Sequence, residues 1–340
     1  MIANEDFQRA DALKNRGAYV EAAELYCDLA QKQREMGPFC LYRLAAIMNI
    51  NGDPLKAYDL YYKAFSAKPD LAADLYGDGY PNRSYVFKGK KDEQELSACP
   101  LCGNFDVHPK WCYPLSEASG YNPFFNPIRL WMYCEPCHHV FARFFPEKLF
   151  IYNNSPRVPD PAFFAYYSNV LSRIKQHSEG MSLLEVGIGA CECLLVAREM
   201  GFDVFGIDVI ERHVQMAHDI FKLDAQTADF VEFQCDKKFD IIIMGDVIEH
   251  VSDPTKALKN AYDLLYDNGA LWVSTPNFDS AFSLVTEHQD PMRRQQYHLN
   301  YFSRKSFNML LNKCGFTLVD YSVSTAYKGS MEIIAVKTAR

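Results

Sequence analysis

Residues 184–191 read Leu184-Glu185-Val186-Gly187-Ile188-Gly189-Ala190-Cys191, and further along the chain reads Gly206-Ile207-Asp208. Each is an apolar run that ends in small or acidic residues, the way a buried strand reads where it turns toward a helix. Working outward, the pattern alternates. Ser182–Gly187 predicts a strand, Ala190–Met200 a helix, Asp203–Asp208 a strand and Glu211–Leu223 a helix. Asp240–Gly245 predicts a strand, Pro254–Tyr266 a helix, Ala270–Thr275 a strand and Ser303–Cys314 a helix. Two closing strands, Phe316–Ser322 and Glu332–Lys337, flank a glycine turn at Gly329 and predict a hairpin added at one edge. Such alternation argues for an α/β protein with a doubly wound, mostly parallel sheet. Ligands of these sheets sit outside the carboxyl ends of the strands.

The strand ends therefore carry the chemistry. Gly187 and Gly189 allow backbone to approach a ligand closely, and Asp208 is placed to bind both hydroxyls of a ribose. A dinucleotide fingerprint requires a third glycine where this chain has Glu192. A carboxylate there repels a pyrophosphate but tolerates a ligand without phosphate. Glu185, inside the first strand, suits a cationic ligand. S-adenosylmethionine has a ribose, a sulfonium and an ammonium, and no phosphate.

With these residues in view, the segment of roughly residues 160–338 resembles the class I S-adenosylmethionine-dependent methyltransferases, in a subgroup similar to the ubiquinone-biosynthesis O-methyltransferases. Glu185-Val186-Gly187-Ile188-Gly189 resembles the first motif, and Asp208 the ribose-binding acid. Ala228-Asp229-Phe230 resembles the third-strand turn, which implies that Asp229 meets the adenine amino group. Asp246-Val247-Ile248-Glu249-His250-Val251-Ser252-Asp253-Pro254 resembles the fourth-strand motif, and Asp246 is counted with the cofactor-binding residues. Thr275-Pro276-Asn277 and Tyr297-His298-Leu299-Asn300-Tyr301-Phe302-Ser303 match later segments, whereas Cys191 stands where a third glycine is common. The resemblance implies a seven-stranded Rossmann-like sheet and in-line methyl transfer from S-adenosylmethionine to a small-molecule, sugar or glycan acceptor, at a hydroxyl.

Removing a hydroxyl proton needs a base, and histidine has the right pKa range. His250 and His298, with Glu249, are the candidate catalytic residues. Asp246, Glu249 and His250 also have helical i, i+3, i+4 spacing, so they share a face that His298 can complete. A similar acid-x-x-Glu-His cluster in related O-methyltransferases holds a divalent ion, so a second metal site for Mg²⁺, Mn²⁺ or Fe²⁺ stays open beside the general-base reading. The aromatic stretch Tyr121–Phe125 and the segment Phe278–Gln296, with His288, Arg293 and Arg294, are expected to form the acceptor lid.

Residues 76–160 form a separate block marked by cysteine. Cys99-Pro-Leu-Cys102-Gly103 and Cys134-Glu-Pro-Cys137 are two C-x-x-C knuckles. Two such knuckles complete a tetrahedral S4 site, which selects zinc and leaves no open coordination position. A small zinc-ribbon-like module with a structural zinc is the expectation, with His108, Cys112, His138 and His139 as nearby substitutes.

Residues 1–75 have helical periodicity and an internal repeat. Gly17, Ala22 and Tyr26 recur as Gly52, Ala57 and Tyr61. This all-α, helical-hairpin region is similar to tetratricopeptide repeats, but two units are fewer than such arrays need, so it is expected to pack on the rest of the chain, on another copy or on a protein partner. Three parts follow: 1–75, 76–160 and 161–340. Hydrophobic content of 49% and charged content of 23% exclude a disordered chain. Net charge is −8 and no segment is strongly basic, so a nucleic-acid partner is not expected. No apolar run is long enough to span a membrane, and the first residues have no signal-peptide pattern. With eleven cysteines, an odd number, a reducing cytoplasmic setting is expected. A methyltransferase fold without activity, acting as a scaffold, and a nucleic-acid methyltransferase are the alternatives carried forward.

Overall fold

The computed structural model of the chain describes residues 4–77, 79–118, 120–146 and 158–338. It begins with helices α1 (Glu5–Asn15), α2 (Tyr19–Lys32), α3 (Gly37–Ile50), α4 (Pro54–Ala67) and α5 (Leu71–Leu75). Local signals set their ends. The Asn4 side chain accepts from the Phe7 amide at the start of α1, and Asp53, ahead of Pro54, accepts from the Lys56 amide at the start of α4. Gly17 and Gly52 take positive φ (83° and 84°) in the turns after α1 and α3. Ala22 and Ala57 are fully buried, with Tyr26 and Tyr61 beside them, so the repeated residues lie in the helix packing.

Five short strands follow: β1 (Gln94–Glu95), β2 (His108–Pro114), β3 (Ile128–Cys134), β4 (His139–Ala142) and β5 (Phe144–Phe145). The rest of the chain runs α6 (Ala162–Ile174), β6 (Ser182–Val186), α7 (Glu192–Glu199), β7 (Asp203–Asp208), α8 (Glu211–Asp219) and β8 (Ala225–Thr227). It continues β9 (Phe239–Gly245), α9 (Pro254–Leu264), β10 (Leu265–Pro276), α10 (Ala281–Thr286), β11 (Asn300–Tyr301), α11 (Arg304–Lys313), β12 (Phe316–Val323) and β13 (Ser330–Lys337).

The large sheet has the order β12-β13-β10-β9-β6-β7-β8. It is mixed. Strands β8, β7, β6, β9 and β10 pair in parallel, and β13 runs antiparallel to both β10 and β12. The sheet is mostly parallel but not purely so, and the reversed strand β13 is one arm of the expected edge hairpin. Chain order reverses at β6, which lies between β7 and β9, and this switch point is where a Rossmann-like sheet opens a crevice. Helix α9 ends at Leu264, short of the expected Tyr266, because β10 already starts at Leu265, with Leu265 paired to Phe239.

A second, antiparallel sheet has the order β11-β4-β3-β2, so a strand from between α10 and α11 completes the sheet built by residues 108–142. One of its faces carries Tyr113, Trp131, Val140 and Tyr301, covered by Phe278 and Leu299. The other carries Cys112, Leu130, Met132 and Phe141 and joins the core of the N-terminal helices. There the Cys112 amide donates to Asn49 Oδ1 at 2.7 Å. Among the described residues, no helix is long and apolar enough to cross a membrane.

Candidate functional site

The crevice is built by the exits of β6, β7 and β9. After Val186 the backbone turns through Gly187 (φ 77°) and Gly189 (φ 50°), and Cys191 caps α7 in the left-handed region (φ 70°). A Cβ at Gly187 would lie 2.8 Å from Val247 Cγ2, so this turn has no room for a side chain. The loop is pinned by the Gly187 amide donating to the Ile207 carbonyl at 2.7 Å.

Asp208 ends β7 and is buried. Its Oδ1 accepts from the Ile210 amide at 2.8 Å, and its Oδ2 accepts from the Gly189 amide at 3.1 Å. The buried His213, on α8, places Nδ1 3.1 Å from the same Oδ2. Sequence reasoning missed His213; its only signal was a position five residues past Asp208, inside the first turns of the next helix.

Glu185 is buried in β6, and its Oε2 has no hydrogen-bond partner among the described residues. Burial holds its carboxyl well above the usual carboxylate range, and the nearby Glu192 and Asp208 push it the same way. Such a group is costly unless a cation or donor meets it. Asp229, just past β8, is exposed, and its Oδ1 accepts from the Val231 amide at 2.9 Å. Asp246 follows β9 at φ 52°; its amide donates to the Ser274 carbonyl, and its Oδ1 accepts from Ser274 Oγ at 3.3 Å.

A second cluster lies past β9. Ligand atoms of Glu249, His250 and His298 all lie within 4.8 Å of one another. Asp246 is not part of that group. Glu249 is fully buried; Oε2 accepts from Thr275 Oγ1 at 2.9 Å, and Oε1 is unpartnered among the described residues. His250 Nδ1 lies 3.0 Å from the Tyr297 carbonyl, which orients the ring. The His298 ring is buried, with Nδ1 unpartnered among the described residues. Burial drives Glu249 toward its neutral form, with Asp246 adding to the push, and drives His298 well below the usual imidazole range, helped by His250 and Arg129. The Glu249 carbonyl accepts from the Leu299 and Asn300 amides at 2.8 and 3.0 Å, which ties the two segments together. Arg129, on β3, donates to the carbonyls of Gln296 (2.5 Å) and His298 (3.3 Å). One buried guanidinium thus joins the cysteine-bearing sheet to the histidine segment.

The lid expectation needs revision. Phe278–Gln296 contains α10 and two 3₁₀ turns, Glu287–Gln289 and Pro291–Arg294. Arg294 pairs with Glu117 at 3.0 Å and donates to the His288 carbonyl, while Arg293 is buried and bonded to Tyr113 Oη and Ser283. In the other stretch, the Asn122 amide donates to Gln296 Oε1 at 2.6 Å, and Phe125 packs on Tyr297.

The sulfur atoms of Cys99, Cys102, Cys134 and Cys137 lie within 4.8 Å of one another. The first knuckle closes through the Gly103 amide on the Cys99 carbonyl, with Gly103 at φ 74°; the second closes through the His138 amide on the Glu135 carbonyl. The substitutes considered from sequence are otherwise engaged: His139 faces Asn300, and His138 faces Tyr133 and Asp279.

Residues 162–321 match the sequence model of a family described as "Methyltransferase domain". Over this segment the chain is similar to a methyltransferase domain. It holds β6 through β11 and every crevice residue named above. A Staphylococcus carnosus protein described as an uncharacterized methyltransferase is 29% identical over 119 residues, 34% of this chain and 57% of that protein. The mitochondrial ubiquinone biosynthesis O-methyltransferase of Arabidopsis thaliana is 30% identical over 108 residues, 29% of this chain and 33% of that protein. The chain thus spans about a third to somewhat over half of the length of these relatives. Among solved structures, magnesium protoporphyrin IX methyltransferase from Synechocystis PCC 6803 with bound SAH aligns at TM-score 0.43 and 17% identity, covering 52% of this chain and 83% of that one.

Proposed function

We propose that this protein is an S-adenosylmethionine-dependent methyltransferase acting on a small molecule, sugar or glycan at a hydroxyl, in a reducing, cytoplasmic setting. One observation carries the reading: the buried, unpartnered Oε2 of Glu185 and the carboxylate of Asp208 stand on adjacent strands, across a turn with no room for a side chain. That pairing suits a ribose held at Asp208 and an ammonium met at Glu185. Glu192 beside the turn repels a pyrophosphate, which disfavours a dinucleotide.

S-adenosylmethionine supplies a methyl carbon that its sulfonium has already made electrophilic. The chain must hold the acceptor oxygen in line with that carbon, at roughly 3 Å, and keep water away. The proton leaving the hydroxyl is taken by the His250–His298 pair. Burial holds His298 neutral and makes it a weak base, so His250, oriented by the Tyr297 carbonyl, takes the proton and His298 supports it. The same pair with Glu249 offers two imidazoles and a carboxylate, a donor set that suits Mn²⁺, Fe²⁺ or Mg²⁺. An ion held there lowers the pKa of the acceptor hydroxyl.

The four-cysteine cluster fits a structural zinc: four sulfurs converge and none is left over for catalysis. Its role is to brace the sheet that carries Arg129. On this reading residues 1–75 are tetratricopeptide-like, residues 76–160 a zinc-binding module, and residues 161–340 the methyltransferase part.

Calorimetric titration of the full chain with S-adenosylhomocysteine tests the reading. Saturable binding at one site per chain, with no binding of NAD, is the expected result. NAD binding in its place removes the proposal.

A further inference from the structure

We propose that Lys110, Trp111 and Tyr133 on the second sheet, faced by Phe278 and Arg293, form an anion-binding subsite that takes a carboxylate or phosphate of the methyl acceptor. Its role toward the acceptor rests on the methyltransferase reading; the anion site itself does not.

The first observation is a bulge. Between Pro109, opposite Met132, and Trp111, opposite Trp131, β2 contains one extra residue, Lys110. An extra residue in one strand re-aims the side chains beside it. Lys110 and Trp111, neighbours in sequence, consequently both reach Phe278. Lys110 Nζ lies 4.2 Å from the Tyr133 ring centroid, 5.1 Å from that of Trp111 and 5.6 Å from that of Phe278.

The second observation is charge without a partner. Lys110 is half-buried, and its ammonium makes no hydrogen bond or ion pair among the described residues. Burial pushes it below the usual lysine range, and Arg293 pushes it further. Arg293 is a fixed guanidinium beside it, its carbon 4.0 Å from the Trp111 centroid, its nitrogens held by Tyr113 and Ser283 and its Nε 3.9 Å from the buried Asp290 carboxylate. Asp279 is the one carboxylate that acts on Lys110, and it is half exposed, 3.3 Å from His138 Nε2. Asp290 balances Arg293, and Asp279 is shared with His138, so the Lys110 ammonium is the cation here without a bonded counter-ion among the described residues. Ring faces offset part of the lost hydration of an ammonium; an anion offsets more.

The third observation is position. Phe278 and Asp279 follow closely on the carboxyl end of β10, the side of the sheet where ligands bind. Tyr301, three residues past His298, touches both Trp111 and Phe278. The aromatic walls suit a sugar or planar ring attached to the charged group.

The test uses the full chain, with inorganic pyrophosphate and malonate as separate calorimetric probes at low salt. Wild type, Lys110→Met and Lys110→Arg are compared, each also titrated with S-adenosylhomocysteine. One probe is expected to bind wild type, at least about tenfold more weakly to Lys110→Met, and nearly unchanged to Lys110→Arg. Pyrophosphate binding identifies a phosphate-bearing acceptor, and malonate binding a carboxylate-bearing one. Unchanged S-adenosylhomocysteine affinity in Lys110→Met shows that the variant is folded. If neither probe binds wild type, or Lys110→Met binds as well as wild type, the subsite is overturned. If the anion result holds while S-adenosylhomocysteine fails to bind wild type, the methyltransferase reading falls and the anion site stands.

Discussion

The imidazole rings of His250 and His298 lie 4.8 Å apart, centroid to centroid, at an interplanar angle of 69°. Forty-eight positions of sequence are closed by the Glu249 carbonyl, which accepts the amides of Leu299 and Asn300. Two imidazoles and the unpartnered oxygen of Glu249 therefore meet in one place. Glu249 and His298 are buried and His250 is half-buried, and such a grouping of polar atoms is expensive unless it does chemistry.

If the trio holds a divalent ion, Mn²⁺ added to the full chain loses its free-ion electron paramagnetic resonance signal in proportion to the protein. Glu249→Gln should weaken that uptake at least about tenfold, since a charge-assisted contact is lost. Undiminished free Mn²⁺ signal with wild type leaves the histidines as a base without metal.

Asp208 organises the donor end. Replacing it with alanine removes the acceptor for the Gly189 and Ile210 amides and the charge facing His213. Affinity for S-adenosylhomocysteine should fall about ten- to a hundredfold. Calorimetry reads this directly, and a variant that binds like wild type would remove Asp208 from the site.

Glu185 predicts a pH signature. Its folded-state pKa is raised. Over the window from the ordinary carboxylate pKa up to the raised one, the native chain keeps a proton that the unfolded chain has released. Stability of the unliganded protein is therefore fullest at the acidic side of that window and declines as pH rises through it. Glu185→Gln should flatten this decline in urea unfolding measured across pH. Ligand binding should show the reverse: an ammonium meeting Glu185 expels the proton, so the heat of S-adenosylhomocysteine binding depends on the buffer in wild type, and this dependence shrinks in the variant.

Much of this was legible in the chain, and the reasons are local. The glycine turn after β6 and the acid ending β7 read clearly because each strand is a short apolar run with a sharp end. The edge hairpin read clearly because Gly329 sits between two β-rich runs. Strand β8 did not: Ala225–Thr227 is three residues long, only half-buried or exposed, and has no periodicity. Helix α6 was missed, though Val170, Leu171 and Ile174 are buried. The convergence of Glu249, His250 and His298 was suggested by spacing for the first two alone; His298 arrives through backbone bonds that no spacing reveals. Arg129 and the bulge at Lys110 depend on partners distant in sequence or on register, so no sequence pattern marks them, and His213 is marked by no more than its spacing from Asp208.

The cysteine cluster predicts a metal requirement for stability. About one zinc per chain should be found by elemental analysis. Cys134→Ser should release it and lower the melting temperature by more than about 5 °C, since structural zinc binding is part of the folding free energy. Equal melting temperatures with and without a strong chelator would contradict a structural metal.

The account stands or falls on the crevice between β6 and β7. A crystal structure of the full chain soaked with S-adenosylhomocysteine tests it most directly. The account predicts density with the ribose hydroxyls on the Asp208 carboxylate, the ammonium against Glu185 and the sulfur turned toward the His250–His298 side. A ligand bound elsewhere, or a crevice closed by the chain's own side chains, would contradict it.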